Sequence, residues 1–114
     1  MSVVTVRIGT DDWHQFDMNI GTTAVDLDAA TKILCEIDRD GETDRDKDSV
    51  THASLFTVGV TGGLLKQQFK INLGQIFTDE SEHGQRWKMR VTVYDAMYAN
   101  GSQFETQFNL DLKK

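Results

Sequence analysis

Proline is absent from this 114-residue chain, against an average usage of about 5%. No turn can draw on a fixed φ, so reversals fall to Gly, Asn and Asp. A single cysteine, Cys35, cannot close an intramolecular disulfide; packing alone must hold the fold, and nothing signals oxidative export. No apolar run approaches the ~20 residues that cross a bilayer as a helix. The opening stretch MSVVTVRIGT lacks the basic start and apolar core of a secretory signal. The expectation is an unprocessed, soluble protein with no membrane partner. Basic residues are also short: 12 Lys and Arg against 18 Asp and Glu leave a formal charge of −6. That balance lacks the phosphate-neutralising surplus of a nucleic-acid binder, so no nucleic-acid partner is expected.

What is present supports a folded core. Hydrophobic residues make up 39% of the chain and charged residues 26%, and the length fits one domain spanning residues 1–114. Period-two alternation recurs along the chain, and helical stripes at three- and four-residue spacing do not. Val3 to Ile8 reads as a first strand ending at Gly9-Thr10-Asp11-Asp12. Phe16, Met18 and Ile20 share one face of a second strand, closed by Gly21. Ala24 to Ala30 reads as a short edge element with Val25 and Leu27 inward and Asp26 and Asp28 turned to water or local backbone. Thr31, Ile33, Cys35 and Ile37 line a third strand, and Leu34 is an apolar exception on its outer face. Phe56, Val58 and Val60 lead into a reversal at Gly62-Gly63, and Leu65, Gln67, Phe69, Ile71 and Leu73 return. Gly74 to Glu82 is a single helical turn or a crossing between sheets. Trp87, Met89, Val91 and Val93 alternate with Lys88, Arg90, Thr92 and Tyr94. After a turn at Asn100-Gly101, Phe104, Thr106, Phe108, Leu110 and Leu112 complete a long hairpin. The expectation is all-β, an antiparallel immunoglobulin-like sandwich of about seven strands without the inter-sheet cysteine pair.

Asp38 to Ser49 contains no apolar residue and reads as a solvated, mobile loop open to cleavage at Arg39, Arg45 or Lys47. Its acids invite a calcium reading. Aligning Gly41 with the glycine of an EF-hand loop puts Glu36, Asp38 and Asp40 at ligand positions, but Lys47 stands where a bidentate Glu is required. His14, His52 and His83 form no HxH or HxxxH pair, so no metal site is assigned. Cys35 falls on the apolar phase of its strand and reads as a packed thiol, not a nucleophile. No GxGxxG, Walker loop or GxSxG occurs, and a small sandwich offers little material for the two walls that a catalytic carboxylate pair needs. No catalytic residue and no cofactor are expected, and the chain is not read as an enzyme.

Aromatics remain. Trp87 is in phase with the core, whereas Tyr94 shares the outward phase with Lys88, Arg90 and Thr92, and Tyr98 sits in the following turn. Exposed aromatics beside charge suit a protein interface, so Tyr94, Tyr98, Lys88 and Arg90 are the candidate partner-contact residues.

Taken together, these segments resemble the immunoglobulin-like N-terminal domain of phage baseplate upper proteins and related small β-sandwich modules of tailed-phage virions. The resemblance runs through Ile8-Gly9-Thr10-Asp11, Phe16-Asp17-Met18-Asn19-Ile20 and the Ala24-to-Ala30 step AVDLDAA. It continues through Gly84-Gln85-Arg86-Trp87-Lys88-Met89-Arg90-Val91 and Asn100-Gly101 with Phe104. The acidic loop departs from it, and the chain ends at Lys114 with no stalk or receptor-binding region. The resemblance implies a virion structural protein assembled in the host cytoplasm, a head-decoration or baseplate/tail-attached component that docks on a capsid or tail protein and has homo-oligomerisation open to it. It implies no catalytic residues. The alternative is a stand-alone carbohydrate- or protein-binding sandwich.

Overall fold

A computed structural model describes residues 2–114, with the backbone alone for residues 2 and 104–107. Seven strands of three residues or more carry the fold: β1 (Ser2–Arg7), β2 (Trp13–Asp17), β5 (Lys32–Asp38), β7 (Phe56–Val58), β8 (Gln68–Asn72), β9 (Arg86–Tyr94) and β10 (Ser102–Lys113). Three two-residue strands complete them: β3 (Asn19–Ile20), β4 (Thr23–Ala24) and β6 (Lys47–Asp48). The connections among the described residues contain 3₁₀ turns and no α-helix. One sheet has the order β1-β10-β9-β5-β6, the other β2-β8-β7, and β3 pairs with β4 apart from both. The strands corresponding to C, F and G of an immunoglobulin sandwich thus lie in one sheet, and those corresponding to B, D and E in the other. The fold is an all-β, immunoglobulin-like sandwich.

One pairing departs from the antiparallel expectation. β1 runs parallel to β10, from Ser2 opposite Phe108 to Arg7 opposite Lys113. Parallel neighbours need a long connection, and here nearly the whole chain lies between the two strands. β1 and β2 belong to different sheets, so no hairpin forces them side by side. β10 also slips register against β9 between Gln103 and Glu105 and again between Glu105 and Phe108. The expected inward side chains of Phe104 and Thr106 lie outside the described residues.

The core follows the alternation. Ile33, Cys35 and Ile37 of β5 and Trp87, Met89, Val91 and Val93 of β9 are buried and face the buried Phe69 and Ile71 of β8 across the sandwich. The Phe16 ring bridges the layers, 5.5 Å from Phe69 and 4.6 Å, edge-on, from Phe108. Each such buried ring stabilises the fold by about 1.5–3 kcal/mol.

The alternation fails where it is extended past a strand end. Ile20, Val60 and Leu65, all read as core-facing, are exposed. β2 stops at Asp17, Val60 begins a 3₁₀ turn at Val60–Gly62, and β8 starts only at Gln68.

The acidic loop is a second correction. Its residues 45–49 are half-buried, and only 40–44 stay exposed. Asp46 accepts the Ile37 N–H at 2.7 Å, the Ser49 hydroxyl accepts the Ile33 N–H at 2.9 Å, and Lys47 pairs with Cys35 in the sheet. Arg45 does most of the anchoring. Its guanidinium donates to both Glu82 oxygens at 2.9 and 2.8 Å and to the Ile76 carbonyl at 2.9 Å. It also lies over the rings of Phe77 and Trp87, 5.2 and 5.3 Å from their centroids. A planar fork with five donors can satisfy a carboxylate and a carbonyl while stacking on rings; the loop is pinned across one end of the core.

Candidate interaction surface

The strand pairing gathers three connections at one end of the sandwich. β2 ends opposite the start of β8, with Asp17 paired to Gln68, and β7 ends beside it at Val58. In the other sheet β5 begins at Lys32 opposite Tyr94, where β9 ends, and β10 begins at Ser102 opposite Val93. Residues 18–31, 59–67 and 95–101 therefore sit together.

Hydrogen bonds tie these connections to one another. The Met18 N–H donates to the Gln67 carbonyl at 2.8 Å and the Leu27 N–H to the Lys66 carbonyl at 2.8 Å. Thr31 donates its N–H at 2.7 Å and its hydroxyl at 3.0 Å to the Tyr94 carbonyl. Asp26 caps the 3₁₀ turn at Leu27–Ala29 by accepting the Asp28 N–H. Asp28 in turn reaches across to the β7–β8 connection, accepting from the Val60 N–H at 2.8 Å, the Thr61 N–H at 3.2 Å and the Thr61 hydroxyl at 2.8 Å. The Thr61 hydroxyl first, then the two N–H groups, hold this carboxyl below its ordinary pKa. Gly59 makes the approach possible. At φ 57° and ψ −157° it occupies a region open essentially to glycine alone, and a Cβ there would stand 2.6 Å from Asp28 Oδ2.

On this tied platform the tips are apolar. Seven large hydrophobic side chains are markedly exposed among the described residues, and five belong here: Ile20 (42%), Val50 (63%), Val60 (63%), Leu65 (59%) and Met97 (80%). Val50 joins them because the segment after β6 returns to this end, where the Ser49 N–H donates to the Ile33 carbonyl. A cleft of about 280 Å³ opens beside it, lined by Leu27, Ile33, Val50 and Val58 with Asp28 and Thr61 at the polar side. Isolated exposed hydrophobics are ordinary, but several at one end of a sandwich make that end the candidate interaction surface.

The four residues expected from sequence divide across the molecule. Tyr94 and Tyr98 stand at the loop end, both half-buried. The Tyr94 ring is already engaged by the Lys32 ammonium, 4.5 Å from its centroid, and by Gly101, where a Cβ would come within 3.0 Å of the ring. Tyr98 closes the turn, its N–H donating to Asp95 Oδ1 at 2.7 Å and its carbonyl accepting from Gly101 at 2.9 Å. Arg90 lies mid-strand, opposite Glu36. Lys88 is near the far end of β9, six residues or roughly 20 Å from Tyr94. All five of the exposed loop-end residues escaped the sequence reading, although a glycine stands beside three of them: Gly21 after Ile20, Gly59 before Val60 and Gly63 two before Leu65. Glycines so placed mark strand ends, past which alternation no longer says what is buried.

The titratable groups read for chemistry lie apart. His14 Nε2 sits 3.1 Å from Asp12 Oδ2, His52 Nδ1 accepts the Asp48 N–H at 3.2 Å, and His83 is exposed. No group of three or more His, Cys, Asp and Glu that could hold a metal ion occurs among the described residues. Cys35 is fully buried, and desolvation pushes its thiol well above the ordinary range.

No protein-family model matches the chain, and no curated protein matches it. Among solved structures the chain is similar to the crystal structure of CD84, described for its insight into SLAM family function. The identity is 12% and the TM-score 0.41, over 100% of this chain and 98% of that one.

Proposed function

We propose that this protein is a non-catalytic docking module that seats the loop end of its sandwich on a larger protein. The observation that carries the reading is the gathering of Ile20, Val50, Val60, Leu65 and Met97, all exposed, on connections that are hydrogen-bonded together. A preorganised apolar surface loses little conformational entropy on binding, and a polar rim keeps the free chain soluble. For the context we propose a tailed-phage virion, with the chain as a head-decoration or baseplate/tail-attached component and a capsid or tail protein as partner. The resemblance of the strand motifs to baseplate upper proteins supports that context.

The test is incorporation. Washed particles should contain the chain in a fixed ratio to a major capsid or tail protein, and Val60→Asp with Leu65→Asp should lower that ratio at least about tenfold while leaving the far-ultraviolet spectrum unchanged, because exposed substitutions cost folding little. Absence of the wild-type chain from washed particles would defeat the virion reading in favour of a soluble binding module. Undiminished incorporation of the double variant would move the contact off the loop end.

A further inference from the structure

The outer face of the five-stranded sheet carries a charge pattern that the fold itself leaves unused. β5 and β9 are adjacent and antiparallel, and residues directly opposite each other share a face. Glu36 stands opposite Arg90, Asp38 opposite Lys88, and Leu34 opposite Thr92. β5 thus presents two acids in a row and β9 two bases, with the half-buried Leu34 beside them; Thr92, opposite Leu34, is buried. Directly opposed charges at this spacing commonly close into ion pairs, as Arg86 and Asp111 do at 2.6 Å on the same sheet. Neither Glu36 with Arg90 nor Asp38 with Lys88 closes to 4 Å.

We propose that this face binds a second copy of the chain, about a two-fold axis lying in the interface, parallel to the strands and midway between β5 and β9. A half-turn about that axis lays β9 of one copy over β5 of the other at the same level. Arg90 then meets Glu36 of the second copy and Lys88 meets its Asp38, and the symmetry repeats both contacts, giving four intermolecular ion pairs. A two-fold axis perpendicular to the strands through the middle of the row would instead set β9 over β9 and β5 over β5, with Arg90 against Arg90 and Glu36 against Glu36. The pattern therefore selects one arrangement, an isologous contact in which a single patch is its own complement. Aligned sheets pack about 10 Å apart, a gap that an Arg or Lys facing a Glu or Asp can span.

This surface is separate from the loop end. It is also small: about 13 Å of strand length from residue 34 to residue 38, below a standard interface of about 800 Å² per partner, and each copy carries a charge of −6. The association is accordingly weak and reversible, in the range of about 10 µM to 1 mM.

Sedimentation velocity over about 10 µM to 1 mM chain tests it directly. The wild-type chain should shift from monomer toward dimer as concentration rises. Glu36→Lys with Asp38→Lys makes both rows basic, Lys88→Glu with Arg90→Glu makes both acidic, and each variant alone should weaken self-association at least about tenfold through like-charge contact. Mixing the two in equal amounts should restore a dimer, now a heterodimer tighter than wild type. Restoration requires both variants to be folded, so it separates lost complementarity from misfolding. A wild-type chain that stays monomeric throughout would overturn the proposal and assign the face to another occupant. Single-variant dimers as strong as wild type, or a mixture that stays monomeric, would overturn it equally.

Discussion

Replacing Arg45 by alanine removes a guanidinium that bonds Glu82 twice and the Ile76 carbonyl once while covering two rings. It leaves the Glu82 side chain, 10% exposed, without a counter-charge. Breaking a buried ion pair from one side costs about 3–5 kcal/mol. The Arg45 side chain is itself 22% exposed, so water relieves part of the penalty and the lower figure, about 3 kcal/mol, applies. Lost ring contacts add about 0.5 kcal/mol, for a total near 3.5 kcal/mol. At about 4 °C per kcal/mol for a domain of this size, Tm falls by about 14 °C. The chain stays folded at room temperature, since a domain of this length holds about 6–17 kcal/mol in all. Urea denaturation should show a lower midpoint at constant slope. Arg45→Met with Glu82→Gln removes the orphaned charge, and that double variant should be at least about 1 kcal/mol more stable than Arg45→Ala. A loss below about 1 kcal/mol for Arg45→Ala, or a double variant less stable than either single one, would show that the loop is not pinned through this pair.

Gly59→Ala should destabilise by about 1–3 kcal/mol, since its backbone region is closed to other residues and its Cβ would meet the Asp28 carboxylate; a urea midpoint equal to wild type would contradict the clamp. Asp28 titrates below its ordinary value in the fold, so its contribution is full above about pH 4 and is lost as pH falls through the lowered pKa. Asp28→Asn should therefore lower stability at neutral pH and flatten the decline of Tm below pH 4, and an unchanged acid limb would count against the hydrogen-bonded carboxylate. Cys35, fully buried with its thiol pKa raised by desolvation, should resist a thiol-labelling reagent in native buffer and react completely in denaturant. Rapid native labelling would place it outside the core.

The strands that bury a face were legible in the sequence because burial imposes period two. Ile33, Cys35 and Ile37, and Trp87, Met89, Val91 and Val93, are buried as their alternation requires, whereas Thr92, on the outward phase, is buried as well. Asp26 likewise bonds local backbone, but Asp28 does not stay local: it crosses to Val60 and Thr61, a contact set by how two sheets meet. Arg45 was illegible for the same reason. Amid eleven polar neighbours it reads as solvated, and its partners Ile76, Phe77, Glu82 and Trp87 lie far away in sequence. The parallel β1–β10 pairing leaves no local mark, because period two is the same in either direction. For the candidate surface, Tyr94 and Tyr98 could be found from phase and position, but Ile20, Val60 and Leu65 could not. Their apolar character continued a strand pattern past the residue where the backbone turns.

Oxidative footprinting of Met97 tests the loop-end contact most directly. At 80% exposure this methionine reports on solvent access without any substitution, and its thioether is readily converted to sulfoxide. The chain should be oxidised at Met97 rapidly when free and at least about tenfold more slowly when carried on assembled particles, with the buried Met18 and Met89 unreactive in both states. Met97 oxidising at the same rate on particles as in the free chain would contradict docking through the loop end.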